Sequence, residues 1–193
     1  RFAFALNAKT EYVCVLDDDV VPGKKWFENC LHQMIKEKGL YGTRGVRFQS
    51  KNRYTPLTHF GWGNPNEDTM VVDIVGHAWF FQKEMLNYYW SIPLPRDFPT
   101  TAGEDMHFSY ALQNAGINTY VPPHPKDDRE MWGNIAVDED YGRDDNAISL
   151  GDDAYLKFDR CLSYYTSNGF ELCKDRSQVS YDNNIYFNNN ILR

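Results

Sequence analysis

An apolar run that ends in three consecutive aspartates is the feature that most constrains this chain. Residues 11–16 (EYVCVL) are almost wholly apolar and lead directly into Asp17, Asp18 and Asp19. A short continuous apolar run is typical of a strand covered on both faces, as in a parallel or mixed sheet. In open α/β sheets, ligands bind outside the carboxyl ends of the strands. We therefore expect the three aspartates at a ligand-binding edge.

The triplet of carboxylates has the chemistry of a cation site. Three adjacent negative charges repel one another, and no basic residue follows them until Lys24. A bound divalent cation would remove this repulsion, and hard cations prefer oxygen ligands. A solvated acidic turn is the alternative interpretation. The apolar strand directly before the triplet favours the metal site.

The remaining pattern alternates strands and helices. It predicts helices ending at residue 8 and spanning 24–38, 83–90 and 104–115, and strands over 11–16, 40–48, 70–76, 77–82 and 117–121. In the helix 24–38 the predicted buried face comprises Phe27, Cys30, Leu31, Met34 and Ile35. The long segment 49–69 lacks a period, which is typical of a functional loop. Alternation of this kind predicts a layered α/β sheet.

A second acidic motif, Gly103-Glu104-Asp105, begins the helix predicted over 104–115. Glu104 and Asp105 lie four and three residues before Phe108, so both extend the apolar stripe of the helix at its N-terminal edge. The alternative is that these acids only interact with the helix dipole, which favours negative charge at this end. The dipole lowers a carboxylate pKa and burial raises it, so the sequence leaves the sign open.

Two weaker signals come from a histidine and from an aromatic strand. His124 follows the strand 117–121 and could reach the same sheet edge as the aspartates, where a neutral imidazole can ligate Mn²⁺. A structural or exposed histidine is the alternative. In the strand GHAWFF, Gly76 allows a ligand to approach the backbone, and Trp79 could stack on a sugar ring. These aromatic residues could equally belong to the core.

Together these motifs resemble the GT-A glycosyltransferases, most closely the inverting family 2 type, over about residues 1–135. VLDDDV is similar to the DxD motif, and GEDMHFSYALQNAG is similar to the ED motif with its helix and following glycine. His124 matches a histidine that many such enzymes use as a further metal ligand. The resemblance implies a Rossmann-like α/β/α mixed sheet that lacks the N-terminal βαβα part of the fold.

The resemblance also implies roles for individual residues and the identity of the partners. Its metal ion, Mn²⁺ or Mg²⁺, would bind Asp19, Asp17 and His124, and Asp17, Asp18 and Gly76 would contact the donor or its metal. His77 and Trp79 would contact substrate. Asp105 would be the general base that deprotonates the acceptor, and Glu104 would orient it. The partners would be a nucleotide-diphosphate sugar donor and a glycan or other hydroxyl acceptor.

Composition restricts the other partners. Lys and Arg total 20 against 27 Asp and Glu, giving a net charge of −7, which argues against nucleic acid because phosphate binding needs a cationic surface. No apolar run approaches the ~18 residues of a membrane span, so none is expected in this chain. The four cysteines show no CxxC pairing, and Cys14 and Cys30 fall in apolar patterns, so we expect these two to be reduced, packed thiols. The expected location is cytoplasmic or membrane-peripheral.

The position of the triplet also bears on domain organisation. Only 16 residues precede Asp17, whereas the resemblance implies a nucleotide-binding βαβα segment there. We therefore expect the C-terminal portion of a longer enzyme, inactive alone and with an exposed apolar patch beside the strand 11–16. The expected division is a catalytic domain over 1–135 and an extension over 136–193, with a helix at 152–165 and an Asn-rich tail.

Two other classes of protein remain open from the sequence. A metal-dependent hydrolase or nucleotidyltransferase also uses clustered carboxylates. A non-catalytic carbohydrate-binding module would suit the 16 % aromatic content, although it leaves the aspartate triplet unexplained.

Overall fold

The computed structural model describes residues 1–95, 102–136 and 153–176. The helices within these ranges are α1 (Phe2–Ala5), α2 (Trp26–Lys36), α3 (Leu86–Ser91), α4 (Glu104–Asn114) and α5 (Ala154–Ser167). The strands are β1 (Tyr12–Leu16), β2 (Gly39–Phe48), β3 (Pro56–Gly61), β4 (Met70–Val72), β5 (Ile74–Gln82) and β6 (Asn118–Val121). The predicted alternation of strands and helices is confirmed.

The strands form one mixed sheet in the order β1–β5–β2–β6–β4, with β3 also paired to β2. β5 is antiparallel to β1 and to β2, and β4 is antiparallel to β6. The pairing of β2 with β6 is parallel. The long strand β2 therefore lies at the centre of the sheet and contacts three neighbours.

Two hydrophobic clusters cover the sheet, and α4 contributes to both. The larger cluster joins α1, α2 and the strands, and includes Phe108 of α4. The smaller cluster places Met106 and Tyr110 of α4 with residues of β2, β5 and α5. Since α4 is packed on both sides, its N-terminal residues, Glu104 and Asp105, are held at a fixed position over the sheet.

The buried face of α2 differs from the predicted one. Trp26, Cys30 and Met34 are buried, and their four-residue spacing forms the row that contacts the core. Phe27 and Ile35 are 43 % and 74 % exposed, so they form a second row, which points outward. The prediction assigned two adjacent apolar rows to one face, because side chains one position apart point in directions that differ by only about 100° around the helix axis.

The strand β1 is less buried than its apolar sequence predicts. Its residues are half-buried, and Leu16 is exposed. The physical reason is that β1 pairs with β5 along one edge, while no strand pairs with its other edge within the described parts of the chain. Both aspartates that flank Asp18 nevertheless remain only partly exposed.

The strand β3 lies inside the segment 49–69, where a loop was expected. It begins at Pro56 and pairs with β2 at the end that β6 does not cover. Proline cannot donate to a ladder and is tolerated at the first residue of an edge strand. The segment lacks an apolar alternation, so its strand depends on pairing with β2.

The segment 153–176 packs against the same sheet. The buried carboxylate of Asp73 accepts hydrogen bonds from the backbone N–H groups of Phe48 and Cys173, both at 2.6 Å. Cys161 and Leu162 of α5 belong to the smaller hydrophobic cluster. The predicted helix 152–165 is thus confirmed as α5, whereas the domain boundary at 135 stays a prediction and the Asn-rich tail lies outside the described residues.

All four cysteines are free thiols, as expected for Cys14 and Cys30. None of the helices in the described ranges has the length and apolar character needed to cross a lipid bilayer.

Candidate active site

The aspartate triplet follows β1 at the edge of the sheet, as the sequence predicts. The backbone N–H of Asp17 donates to the carbonyl of His77 at 2.9 Å, which extends the β1–β5 ladder by one bond. Asp17, Asp19 and His77 each offer one ligand atom, and these atoms all lie within 4.8 Å of one another. We call these three residues the carboxylate–imidazole group. Asp18 is exposed and lies outside it.

A β-bulge places His77 in this group. Gly42 pairs with Trp79 and Arg44 pairs with Gly76, so two residues of β5, His77 and Ala78, oppose a single residue of β2. His77 adopts the left-handed backbone conformation with φ of 65°. Bulges re-aim side chains and are frequent next to active sites. A left-handed backbone conformation is uncommon for residues other than glycine, although histidine adopts it more often than most. Backbone strain of this kind is frequent at functional sites, and here it sets the position of the imidazole.

Unsatisfied polar atoms in the carboxylate–imidazole group fit a divalent cation. Asp19 Oδ1 and His77 Nδ1 are buried and have no hydrogen-bond partner among the described residues. Burial lowers the pKa of His77 to about 4, so the ring is neutral at pH 7 and keeps a lone pair for a metal. Carboxylate oxygens with one imidazole suit Mn²⁺ well. Mg²⁺ prefers an all-oxygen site with several waters.

The guanidinium of Arg1 joins the aspartate triplet to the start of α4. Its Nη1 donates to Asp17 Oδ1 at 2.5 Å, and its Nη2 lies 3.3 Å from Glu104 Oε1. The neighbouring Phe2 is buried among aromatic rings, including those of Trp79 and Phe108 at 5.6 and 5.1 Å between centroids. These ring contacts hold α1 in place. Arg1, which directly precedes α1, is therefore held where the two acidic motifs meet.

Asp105 follows Glu104 in the first turn of α4 and has a strongly shifted pKa. Burial and the neighbouring charge of Glu104 raise the pKa of Asp105 to about 7, against hydrogen bonding from the Met106 N–H at 2.7 Å and the charge of Arg1. Gly103 enters the helix with φ of 90°, a conformation that a side chain would strain. A carboxylate with a pKa near neutrality is suited to accept a proton at physiological pH.

His124 does not lie in the carboxylate–imidazole group, contrary to the prediction. The backbone N–H of Gly133 donates to His124 Nε2 at 2.9 Å, and His124 Nδ1 donates to the Pro122 carbonyl at 2.8 Å. Both ring nitrogens are therefore used inside the fold, and no lone pair is left for a metal. The His124 backbone also pairs with Asn66. His124 ties the turn after β6 to neighbouring loops.

The sugar-stacking role expected for Trp79 is also wrong. Trp79 is only 2 % exposed, and its Nε1 donates to the Val75 carbonyl at 2.9 Å. One face of its ring is covered by the Arg1 guanidinium, 4.8 Å from the ring centroid. Gly76 was expected to let a ligand approach the backbone, and a side chain added there would meet nothing within 4 Å.

Trp62 is a site residue that the sequence analysis missed. It is partly exposed and its ring centroid lies 4.5 Å from that of His77. Its φ is 50°, so it follows Gly61 in a left-handed turn after β3. The available sequence signal was the tryptophan inside the glycine- and asparagine-rich stretch GWGNPN, within a segment expected to be functional.

Comparison with known families identifies the class of protein. The model of glycosyl transferase family 2 matches residues 1–102, more than half of the 193-residue chain. The chain therefore belongs to glycosyl transferase family 2, and its mixed α/β sheet is consistent with a domain of the GT-A type. No curated protein matches the chain. The matched range contains the carboxylate–imidazole group and ends just before Glu104 and Asp105.

Proposed function

We propose that this chain belongs to an inverting glycosyltransferase that moves a sugar from a nucleotide-diphosphate donor to an acceptor hydroxyl. In this proposal Asp17, Asp19 and His77 hold Mn²⁺ or Mg²⁺ at the donor diphosphate, Asp105 is the general base and Glu104 positions the acceptor. Family membership supports glycosyl transfer from a nucleotide sugar. The roles of the individual residues are inferred from the positions of the two acidic motifs.

One observation carries these assignments. A single guanidinium, that of Arg1, contacts both Asp17 and Glu104, so the two acidic motifs lie on either side of one side chain. A glycosyl transfer needs a cation at the leaving diphosphate and a base at the attacking hydroxyl, separated by the sugar that moves. The two acidic motifs supply a candidate for each.

The chemical step that we propose is a single displacement. The acceptor oxygen attacks the anomeric carbon of the donor, and the bond from that carbon to the phosphate oxygen breaks with its electron pair leaving on the diphosphate. The acceptor proton passes to a carboxylate oxygen of Asp105. Attack opposite the leaving group inverts the anomeric centre. A bound divalent cation would stabilise the negative charge that develops on the diphosphate.

The direct test is a transfer assay on the full-length protein with a panel of nucleotide sugars and glycan acceptors. The proposal predicts transfer that needs a divalent cation and yields the inverted anomer. Release of free monosaccharide or pyrophosphate without any acceptor would instead indicate a hydrolase or nucleotidyltransferase. Retention of the anomeric configuration would remove the single displacement.

The cytoplasmic or membrane-peripheral location expected from composition stays a prediction.

A further inference from the structure

Arg44 is a partly buried cation for which the described residues provide no counter-ion. It lies in the central strand β2, where it is the one position of ten that is not fully buried. Burial lowers its pKa, and its side chain forms no hydrogen bond or ion pair with any residue that the structure describes. A guanidinium in such a position normally has an anionic partner, because burying an unpaired charge is costly.

The strand register places open space beside Arg44. It pairs with Gly76 of β5 and Gly61 of β3, and directly opposed residues of antiparallel strands share one face of the sheet. A side chain built at Gly76 would meet no atom within 4 Å. The face of the sheet that carries Arg44 is therefore unfilled over Gly76, and the backbone of β5 forms the floor of this niche.

The residues whose pKa the charge of Arg44 affects come from β3, from β5 and from the segment before β3. After burial, the charge of Arg44 is the largest factor that lowers the pKa of His77, and it likewise lowers that of His59; both reach about 4. For Tyr54, burial and the charge of Asp105 raise the phenol pKa while Arg44 lowers it. Arg44 thus lies within electrostatic range of His77, the candidate metal ligand, and of Tyr54, whose pKa the charge of Asp105 also affects.

His59 adds a second unpartnered polar group to the same face. It pairs with Val46, two residues from Arg44 along β2, so His59 and Arg44 point to the same side. Its Nδ1 is buried and has no hydrogen-bond partner among the described residues. A ligand that binds Arg44 would therefore have a neutral imidazole on the same face of the sheet.

We propose that Arg44 binds a carboxylate or phosphate carried by a sugar, so that the enzyme acts on an acidic sugar such as a hexuronate. This inference rests on the proposed function, since it assigns the niche over Gly76 to the reacting sugar of the donor or of the acceptor. The guanidinium fork binds planar carboxylates in a bidentate manner, which gives both affinity and orientation. The donor diphosphate belongs to the carboxylate–imidazole group instead.

The first test uses sugars without nucleotide, so it does not depend on catalysis. Binding of methyl glucuronide, methyl galacturonide and glucose 6-phosphate is compared by NMR titration with that of methyl glucoside and methyl galactoside. The wild-type chain should bind at least one acidic sugar about tenfold or more tightly than its neutral counterpart, the usual range for a charge-assisted hydrogen bond. Equal binding of every acidic and neutral pair would overturn the proposal.

The variants assign this preference to Arg44. Arg44→Gln should abolish it while leaving neutral-sugar binding unchanged, and Arg44→Lys should retain only part of it because the fork is lost. Arg53→Gln is the matched control, since it removes the same charge from an exposed residue. A preference that survives in Arg44→Gln would overturn the proposal, provided that circular dichroism shows an unchanged melting temperature for that variant.

A second experiment distinguishes three possible ligands of Arg44: the donor sugar, the acceptor sugar and the donor diphosphate. With Mn²⁺ present, UDP, UDP-glucose and UDP-glucuronate are titrated into the wild type and into Arg44→Gln. If Arg44→Gln weakens the binding of UDP-glucuronate alone, Arg44 contacts the donor sugar. If, with UDP bound, it weakens the binding of free acidic sugars alone, Arg44 contacts the acceptor sugar. Equal weakening of all three nucleotides indicates a diphosphate contact and overturns the proposal. Failure of the wild type to bind any of them counts against the proposed function, while the nucleotide-free test of Arg44 stands.

Discussion

His77 Nδ1 lies 3.7 Å from Asp17 Oδ2, although 59 residues separate the two in the chain. The antiparallel pairing of β1 with β5 brings the two strands together. The bulge at His77 then aims the imidazole toward the carboxylates, with the ring neutral because burial lowers its pKa to about 4. A carboxylate and a neutral imidazole placed in this way can ligate the same metal ion.

Replacing His77 should weaken Mn²⁺ binding, whereas replacing His124 should not. His77→Gly removes the imidazole and tolerates the left-handed backbone, so metal loss is separated from backbone strain. We expect its Mn²⁺ dissociation constant, measured by electron paramagnetic resonance, to rise by about tenfold or more, as for lost ligand-sphere contacts.

The matched variant for this comparison is His124→Gln. Its Mn²⁺ affinity should stay within about twofold of the wild type, because both ring nitrogens of His124 serve the fold. A loss of Mn²⁺ affinity in His124→Gln with normal binding by His77→Gly would reverse the assignment of the ligands.

Asp105→Asn should lower turnover of the full-length enzyme by about a hundredfold or more, the usual contribution of a general base. Asparagine keeps an oxygen for the Met106 N–H, so the start of α4 should remain intact. Mn²⁺ affinity should be unchanged, which separates this effect from loss of the metal. Turnover close to that of the wild type would exclude Asp105 from the mechanism.

The raised pKa of Asp105 also predicts the pH dependence of activity. A general base works when deprotonated, so kcat/KM should fall as the pH drops below about 7. Above that pH the profile should be flat until another group titrates. In Asp105→Asn the acidic limb should disappear from the residual activity, and persistence of the same limb would assign it to a different group.

Asp73→Ala should destabilise the protein by about 2–4 kcal/mol, because two buried N–H groups would lose their acceptor. The bonds at stake are those from Phe48 and Cys173 to a carboxylate that is 1 % exposed. The free energy of unfolding in urea measures this loss. Asp68→Asn, at an exposed position, should change it by less than about 0.5 kcal/mol.

His124 should make the protein less stable in acid. Burial lowers the pKa of His124 from 6.5 to about 4, so protons bind the unfolded chain more readily. Its contribution to stability is complete above pH 6.5 and is lost as the pH falls towards 4, by about 3 kcal/mol in all. The raised pKa of Asp105 acts in the opposite direction over this range, so the informative quantity is a difference between variants.

That difference is the unfolding free energy of the wild type minus that of His124→Gln, measured at several pH values. It should shrink between pH 6.5 and 4, because glutamine does not titrate. A difference that is independent of pH would show that His124 carries the same proton in the folded and unfolded states.

Much of the fold was accessible from local pattern. The apolar run 11–16 and the helix at 104–115 were predicted within a few residues of their observed ends, whereas the break expected between strands 70–76 and 77–82 lies at Asp73, between β4 and β5. The run and the helix each have enough apolar residues to specify their structure on their own. β3 was missed because Pro56–Gly61 has no such pattern and becomes a strand only by pairing with β2.

The candidate site was predicted in part. The chemistry of the aspartate triplet and of Asp105 follows from residue type and from position at the end of a strand or the start of a helix. That His77 and not His124 joins the carboxylates was not predictable. It depends on the bulge at His77, on the hydrogen bond that the Gly133 N–H donates to His124, and on the one that His124 donates to the Pro122 carbonyl. Trp79 likewise became a core residue through contacts with Phe2, far away in sequence.

The sequence by itself determined the layered α/β class, the acidic strand end and the acidic helix start, since these depend on periodicity and on neighbours along the chain. The tertiary structure alone decided which imidazole joins the carboxylates, that Arg1 links Asp17 to Glu104, and that Arg44 has no counter-ion among the described residues. Each of these is a contact between residues far apart in sequence. Such contacts depend on strand order and register, which a local pattern of side chains does not encode.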